Sequence, residues 1–303
     1  MKNVEKPSTE HRITPDTRFE YTQIAVRHDE SQKVAWCHMY GIPRPCFTQT
    51  LLTENLDYFH YLSTQSDEDL SYLVHASKSP GTYSFGGDLQ LFIQLIRNKD
   101  KESLFKYAKS CVDGIYAKTI HFNRDITVIS LVQGDALGGG FECALACDIL
   151  IAERDAKMGF PEILFNLFPG MGAYTLLSRR IGGAKADRVI LGGTLYTAEQ
   201  LYEMGVIDIL AEEGRGEQTV YEYIKKENRY KNGYRSYREI RHIFDPISYE
   251  ELIGITRIWV DAALRLEPRD IRMMERLVSR QTEKNHLQVH DGKLTNAHGS
   301  AQG

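Results

Sequence analysis

The chain carries little that would mark a secreted, membrane-spanning or nucleic-acid-binding protein. Its five cysteines, Cys37, Cys46, Cys111, Cys143 and Cys147, are odd in number and include no Cys-x-x-Cys pair. No disulfide framework is indicated, and a reduced compartment suits them. No apolar run approaches the roughly 18 residues that a membrane-spanning helix needs, and the opening MKNVEKPSTEHR has no apolar stretch of signal-peptide type. A cytoplasmic protein is expected. Lys and Arg number 37 against 41 Asp and Glu, for a formal net charge of -4; nucleic-acid binding calls for a surplus of the opposite sign. The G-x-G-x-x-G and G-x-x-x-x-G-K-[ST] loops are missing, so neither a dinucleotide nor a P-loop nucleotide site is indicated. None of the ten histidines stands in a recognisable Ser or Cys nucleophile motif, which argues against a His-based triad.

What is present is a 303-residue chain with 42% hydrophobic and 26% charged residues, enough to build a large core without staples. Residues 1–18 read as a flexible polar arm, 19–215 as the core, 216–283 as a helical region and 284–303 as a disordered tail. Within the core, order begins near Phe19. Short strands are expected around Tyr21–Val26 and Val34–Met39, and a helix over Thr50–Asp69. A buried strand follows over Leu70–Ala76, then helices through Leu91–Ile96 and over 103–120, a β-branched strand at Ile126–Val132, and a short one at Ile149–Ala152. Strand, glycine turn, helix and strand recur twice, the pattern of a layered α/β fold. Residues 250–280 read as one long helical pattern, with Leu252, Ile255, Ile258, Trp259 and Ala262 on one side.

Two glycine clusters, Gly86-Gly87 and Gly138-Gly139-Gly140, each stand after a buried strand and before a helix. They make tight turns, or they turn two backbone N–H groups onto one oxygen as an oxyanion hole; spacing alone leaves both open. Two acids lie nearby. Glu142 opens an apolar helix and Glu162 sits in the turn GFPEILF; one reading is a helix cap and a solvated acid, the other a buried pair whose raised pKa values suit proton transfer near neutrality. Cys143 and Cys147, four residues apart with no histidine near them in the sequence, read as core thiols rather than metal ligands, and no metal is expected. The basic residues of 225–242 form a solvated helix face or a docking face for an acidic protein.

The segments FGGDL (85–89), QGDALGGGFECALACDILIA (133–152) and MGFPEILFNLFPGMGAY (158–174) together resemble the crotonase, or enoyl-CoA hydratase and isomerase, superfamily. Through GGDLQLFIQLIR, LVQGDALGGGFE, PEILFNLFPGMGAYTLLSRRI, LYTAEQLYEMGVID and ITRIWVDAAL, covering most of residues 30–283, the chain is similar to the bacterial diffusible signal factor synthases. The resemblance implies a spiral of ββα units with C-terminal helices, assembled as a homotrimer or a dimer of trimers. It implies an oxyanion hole from the Gly87 and Gly139 amides and a catalytic pair in Glu142 and Glu162. It also implies a substrate site drawing on Gly86, Leu137, Gly138, Met171 and Trp259. The implied activity is dehydration of a 3-hydroxyacyl thioester, delivered on acyl carrier protein or coenzyme A, then hydrolysis to a free cis-2-unsaturated acid used as a quorum-sensing signal. No cofactor is implied; an acyl carrier protein and a restraining membrane sensor kinase are the implied partners. Alternatives are a coenzyme A hydratase or isomerase of catabolism, and a non-catalytic protein of the same fold that sequesters a partner. Bulky Phe165, Phe168, Met171 and Tyr174 suggest a long, enclosed acyl tunnel.

Overall fold

A computed structural model describes residues 14–16, 18–66 and 69–279. The expected tail 284–303 and most of the expected arm 1–18 lie outside the described residues. Order starts before Phe19, because Thr14–Pro15 (β1) pairs antiparallel with Ile24–Asp29 (β2). In chain order there follow Val34–Met39 (β3), Gln49–Ser63 (α1), Tyr72–Ser77 (β4), Thr82–Ser84 (β5), Leu89–Arg97 (α2), Lys101–Thr119 (α3), Thr127–Val132 (β6), Asp135–Leu137 (β7) and Gly139–Leu145 (α4). The second half holds Ile149–Glu153 (β8), Lys157–Gly159 (β9), Ala173–Ile181 (α5), Gly183–Gly192 (α6), Leu195–Thr197 (β10), Ala198–Glu203 (α7), Ile209–Ala211 (β11), Gly216–Arg229 (α8), Lys231–Phe244 (α9) and Tyr249–Ala263 (α10). A last helical stretch covers 268–279.

The strands form two sheets, one ordered β1-β2-β3-β4-β6-β8-β11 and one ordered β10-β9-β7-β5. From β3 to β11 the large sheet is parallel. Its central strands VAWCHM, YLVHAS and TVISLV are buried almost throughout, as strands covered on both faces must be. One face packs with α1, α3 and α4 into the main core. The other packs Trp36, Tyr72, Val74, Ile129 and Leu131 against Val220, Tyr223 and Ile224 of α8. The pairs β4–β5, β6–β7 and β8–β9 each send their first strand to the large sheet and their second to the small one before a helical segment begins. That repeated ββα step is the spiral α/β fold expected from the sequence.

The expected single helix over 250–280 is instead α10 and the 268–279 helix, separated by a turn at 264–267. Its buried face is Leu252, Thr256, Trp259, Val260 and Ala263, while Ile258 is 61% exposed. The 3.6-residue period places Ile258 a quarter-turn away from that stripe. Helix α9, in the basic run, buries no side chain. It lies at the strand-start end of the large sheet, where Arg235 pairs with Asp125 just before β6. The glycine turns lie beyond the opposite ends of the strands.

Candidate functional site

The two glycine turns meet because β5 and β7 run parallel, with Ser84 opposite Ala136. Two residues beyond that pair come Gly86 and Gly138, and one further come Gly87 and Gly139. A Cβ on Gly86 would stand 2.7 Å from the Gly139 nitrogen, and one on Gly139 would stand 3.3 Å from the Gly87 nitrogen. Side chains at either position would fill the space the turns share. Gly86 and Gly138 also have φ of +87° and +53°, which glycine adopts without strain. Neither the Gly87 nor the Gly139 N–H has a hydrogen-bond partner among the described residues.

The first turn is fixed from outside. The Phe47 N–H donates to the Gly86 carbonyl at 2.8 Å, and the Asp88 N–H donates to the Tyr107 hydroxyl at 3.0 Å, which itself donates to the Phe47 carbonyl. Asp88 caps α2 by accepting the Gln90 and Leu91 N–H groups and pairs with Arg44 at 3.0 Å. Sequence reasoning had no signal for Tyr107, which is 19 residues from its partner.

Glu142 is fully buried in the first turn of α4. Its Oε1 accepts the N–H groups of Met171 at 2.8 Å and Ala173 at 2.9 Å, while its Oε2 is unpaired. The turn Pro169–Gly172 shapes this cup. Gly172 has φ +131°, and a Cβ on Gly170 would strike the Trp259 ring at 2.2 Å. Burial pushes the Glu142 carboxyl up to about 7, against the pull of the backbone N–H groups. Glu162 opens the 3-10 turn Glu162–Phe165, and its Oε1 lies where a Cβ on Gly138 would fall, 2.2 Å away. Its Oε2 is buried and unpaired. Burial, with the Glu142 charge second, pushes it up to about 8. The Glu142 charge adds to burial in favouring the protonated form of Glu162. The N–H donors on Glu142 favour its ionised form.

A cavity of about 340 Å³ opens against these groups. Gly87, Leu137, Gly138, Gly139, Glu162, Met171 and Trp259 line it, among other residues. Gly86 stands behind Gly139, and Glu142 lies one layer back, held by the Met171 backbone. Apart from Asp135, the rest of the wall is apolar, with Phe85, Leu89, Phe92 and Phe165, and Leu277 from the last helix. Of the four bulky residues expected around a tunnel, Phe165 and Met171 line the cavity. Phe168 packs on the core instead, and Tyr174, in the first turn of α5, is 48% exposed. Met171 and Gly139 also line a second pocket of about 30 Å³ that includes Phe59, Cys111, Ile115 and Lys118. Cys143 is buried, and the Cys147 Sγ donates to the Ala144 carbonyl at 3.0 Å.

A family model described as enoyl-CoA hydratase/isomerase matches residues 41–229. Over 131 residues the chain is 34% identical to "Probable enoyl-CoA hydratase" of Bacillus subtilis (strain 168), a stretch covering 43% of this chain and 48% of that protein. Over 93 residues it is 37% identical to 2,3-dehydroadipyl-CoA hydratase of Escherichia coli (strain K12), covering 31% and 36% of the two chains. The chain thus spans less than half the length of either curated relative. In three dimensions it is similar to an enoyl-CoA hydratase from Bacillus halodurans, with TM-score 0.74, 18% identity and coverage of 84% of this chain and 99% of that one. It is also similar to DspI of Pseudomonas aeruginosa, with TM-score 0.60, 24% identity and coverage of 87% and 90%. At these identities the structural likenesses show the fold alone.

Proposed function

The chain belongs to the enoyl-CoA hydratase/isomerase family, and we propose that within it the protein dehydrates a 3-hydroxyacyl thioester and hydrolyses the resulting enoyl thioester, releasing a cis-2-unsaturated fatty acid that serves as a signal. One observation carries the proposal: two carboxyls whose burial raises both toward neutrality, Glu162 at the wall of a largely apolar cavity and Glu142 one layer behind it, stand beside two unpaired backbone N–H groups. Elimination needs a base for the α-proton, an acid for the departing hydroxyl and donors for the enolate oxygen. The Gly87 and Gly139 N–H groups hold the thioester oxygen. Of the acids, the ionised one takes the proton from the α carbon, the C–O bond at the β carbon breaks, and the protonated one supplies the proton that leaves with it as water. In the second step the same N–H pair holds the tetrahedral oxygen while a carboxylate draws a proton from attacking water; the intermediate then collapses with cleavage of the C–S bond, and the carrier thiolate leaves as the thiol by taking that proton. Apolar walls at Leu137, Met171 and Trp259 suit a fatty chain, and no step requires a cofactor.

Incubation of the purified protein with 3-hydroxydodecanoyl acyl carrier protein should release free cis-2-dodecenoic acid, read by mass spectrometry. Reversible hydration of trans-2-enoyl-CoA with no free acid would replace this reading with the catabolic hydratase that the names of the curated relatives favour. Signal production unaffected by Glu142→Ala and Glu162→Ala would overturn both readings in favour of partner sequestration.

A further inference from the structure

A further cavity, of about 420 Å³, lies at the other end of α4 from Gly139, lined by Leu145 at that helix's end, by Cys147 and Asp148 beyond it, and by residues of α3, α5 and α9. It holds a group of side chains for which the reaction above has no use. We propose that His121, Asp148 and His242 form a binding site for a divalent transition-metal ion of the zinc class, which fastens α9 to the body of the protein. Their ligand atoms all lie within 4.8 Å of one another. The His121 Nε2 is 3.0 Å from the Asp148 Oδ1, and the His121 and His242 rings stand edge to face with centroids 4.6 Å apart.

The backbone sets this arrangement deliberately. His121, Phe122 and Asn123 have φ of 53°, 56° and 58°, three successive non-glycine residues in the left-handed region, each costing on the order of 1 kcal/mol. The buried Phe122 ring anchors the turn, and the turn aims His121 at Asp148. The other carboxylate oxygen of Asp148 accepts the Val128 N–H at 2.8 Å, which orients the first toward the histidines. Zinc binds imidazole nitrogen at about 2.0–2.1 Å, so its ligand atoms lie on the order of 3.3 Å apart. Closing from 4.8 Å asks for a shift of about 1.5 Å, which α9, with no buried side chain, can supply through His242.

Most of the positive charge around the cavity is already paired. Arg179 is paired with Asp245 and Glu251, Arg180 with Asp208, and Arg238 with Glu227. Lys118 donates to the Cys143 carbonyl and the Ser130 hydroxyl. Of the basic side chains lining the cavity, Arg241 alone is left without a side-chain partner among the described residues, and the Asp148 carboxylate supplies negative charge beside the two imidazoles. Two imidazoles and one carboxylate, with water completing the shell, suit zinc, cobalt or nickel rather than magnesium or calcium.

The test uses the full chain, stripped with EDTA and freed of any affinity tag, titrated with Co²⁺. One Co²⁺ per chain is expected, with a visible d–d band that Zn²⁺ abolishes and a rise in the thermal midpoint. His242→Ala, on an exposed helix face, should keep the midpoint seen in EDTA yet weaken uptake at least tenfold. His121→Asn, which preserves a residue tolerant of φ > 0, should do the same, and His60→Ala on α1 should change nothing. No uptake by the parent, equal uptake in the two ligand variants, or an intense near-ultraviolet band of cobalt–thiolate type would each overturn the proposal.

Discussion

Replacing Gly139 with alanine separates the proposed chemistry from the fold. Gly139 has no positive φ and stands at the first position of α4, so alanine can adopt its backbone. The added methyl would lie 3.3 Å from the Gly87 nitrogen, 3.4 Å from the Gly86 Cα and 3.6 Å from the Met171 Cε. These contacts are tight, and a shift of a few tenths of an ångström relieves them. Alanine's helix preference, up to about 1 kcal/mol over glycine, offsets part of that strain, so the net stability change should stay within about 1 kcal/mol. The same methyl occupies the space where an oxygen would accept from Gly87 and Gly139. Loss of one oxyanion donor costs about 10²–10³-fold in kcat, or about 2.7–4 kcal/mol, and with two donors obstructed that range is a floor. Single-turnover release of free acid and thermal unfolding, measured on the same preparation, read the two effects independently. Turnover within about tenfold of the parent, with folding intact, would show that the thioester oxygen lies elsewhere. Gly140→Ala gives the contrasting result: its Cβ would meet the Ser84 carbonyl oxygen at 2.2 Å, so it should unfold the site rather than block it.

Glu142→Gln and Glu162→Gln should each lower dehydration by about 10²–10⁴-fold, and deuterium exchange at the α carbon, retained in only one of them, identifies which carboxyl takes that proton. The folded-state pKa of Glu142 is raised from 4.5 to about 7, so its stability contribution is complete below about pH 4.5 and is lost as pH rises through 7. Thermal midpoints of the parent should therefore fall between about pH 5 and 8 by more than those of Glu142→Gln, with an upper bound of about 3 kcal/mol; a parallel pH dependence in the two proteins would contradict a buried, titrating Glu142. Met171→Ala removes the side chain shared by the 340 Å³ and 30 Å³ cavities, so it should cost about 2–5 kcal/mol and shift substrate preference toward longer acyl chains in a competition assay. Trp259→Ala should cost about 3–5 kcal/mol in denaturant unfolding, because its ring is buried against Gly170 and Phe92; a cost below about 1 kcal/mol would mean that the site's wall is not built on it.

The large sheet was legible in the sequence because VAWCHM, YLVHAS and TVISLV are predominantly apolar, with no alternation of polar residues, and burial on both faces leaves that trace directly in composition. The small sheet was not. Its strands β5, β7, β9 and β10 are three residues each, too short to show a period of two, and they are held by register rather than by propensity. The glycines and the two acids were visible as types at a spacing, but spacing could not say whether Glu142 capped a helix or lay buried. That answer depends on the Met171 and Ala173 amides, 29 and 31 residues further along. The break of the C-terminal pattern at 264–267 did carry a signal that the apolar spacing masked: Pro268, which cannot continue a helix but suits the first position of the next one.

Register explains how the two N–H groups of the proposed oxyanion hole are kept together without any side chain to hold them. The Gly87 and Gly139 N–H groups are brought together by the pairing of Ser84 with Ala136 and by equal three-residue steps out of β5 and β7. Slipping that ladder by one residue would offset the two amides by about 3.3 Å, more than the width of the hydrogen-bond range they must share. It would also bring a neighbour of Gly140 at the start of α4 against the Ser84 carbonyl, where Gly140 now fits with no room for a Cβ. Register is therefore enforced by the same glycine run that carries the donor. Variation in substrate can then fall on the cavity wall, at Leu137, Met171, Phe165 and Trp259, while the geometry around the carbonyl oxygen stays fixed by the backbone.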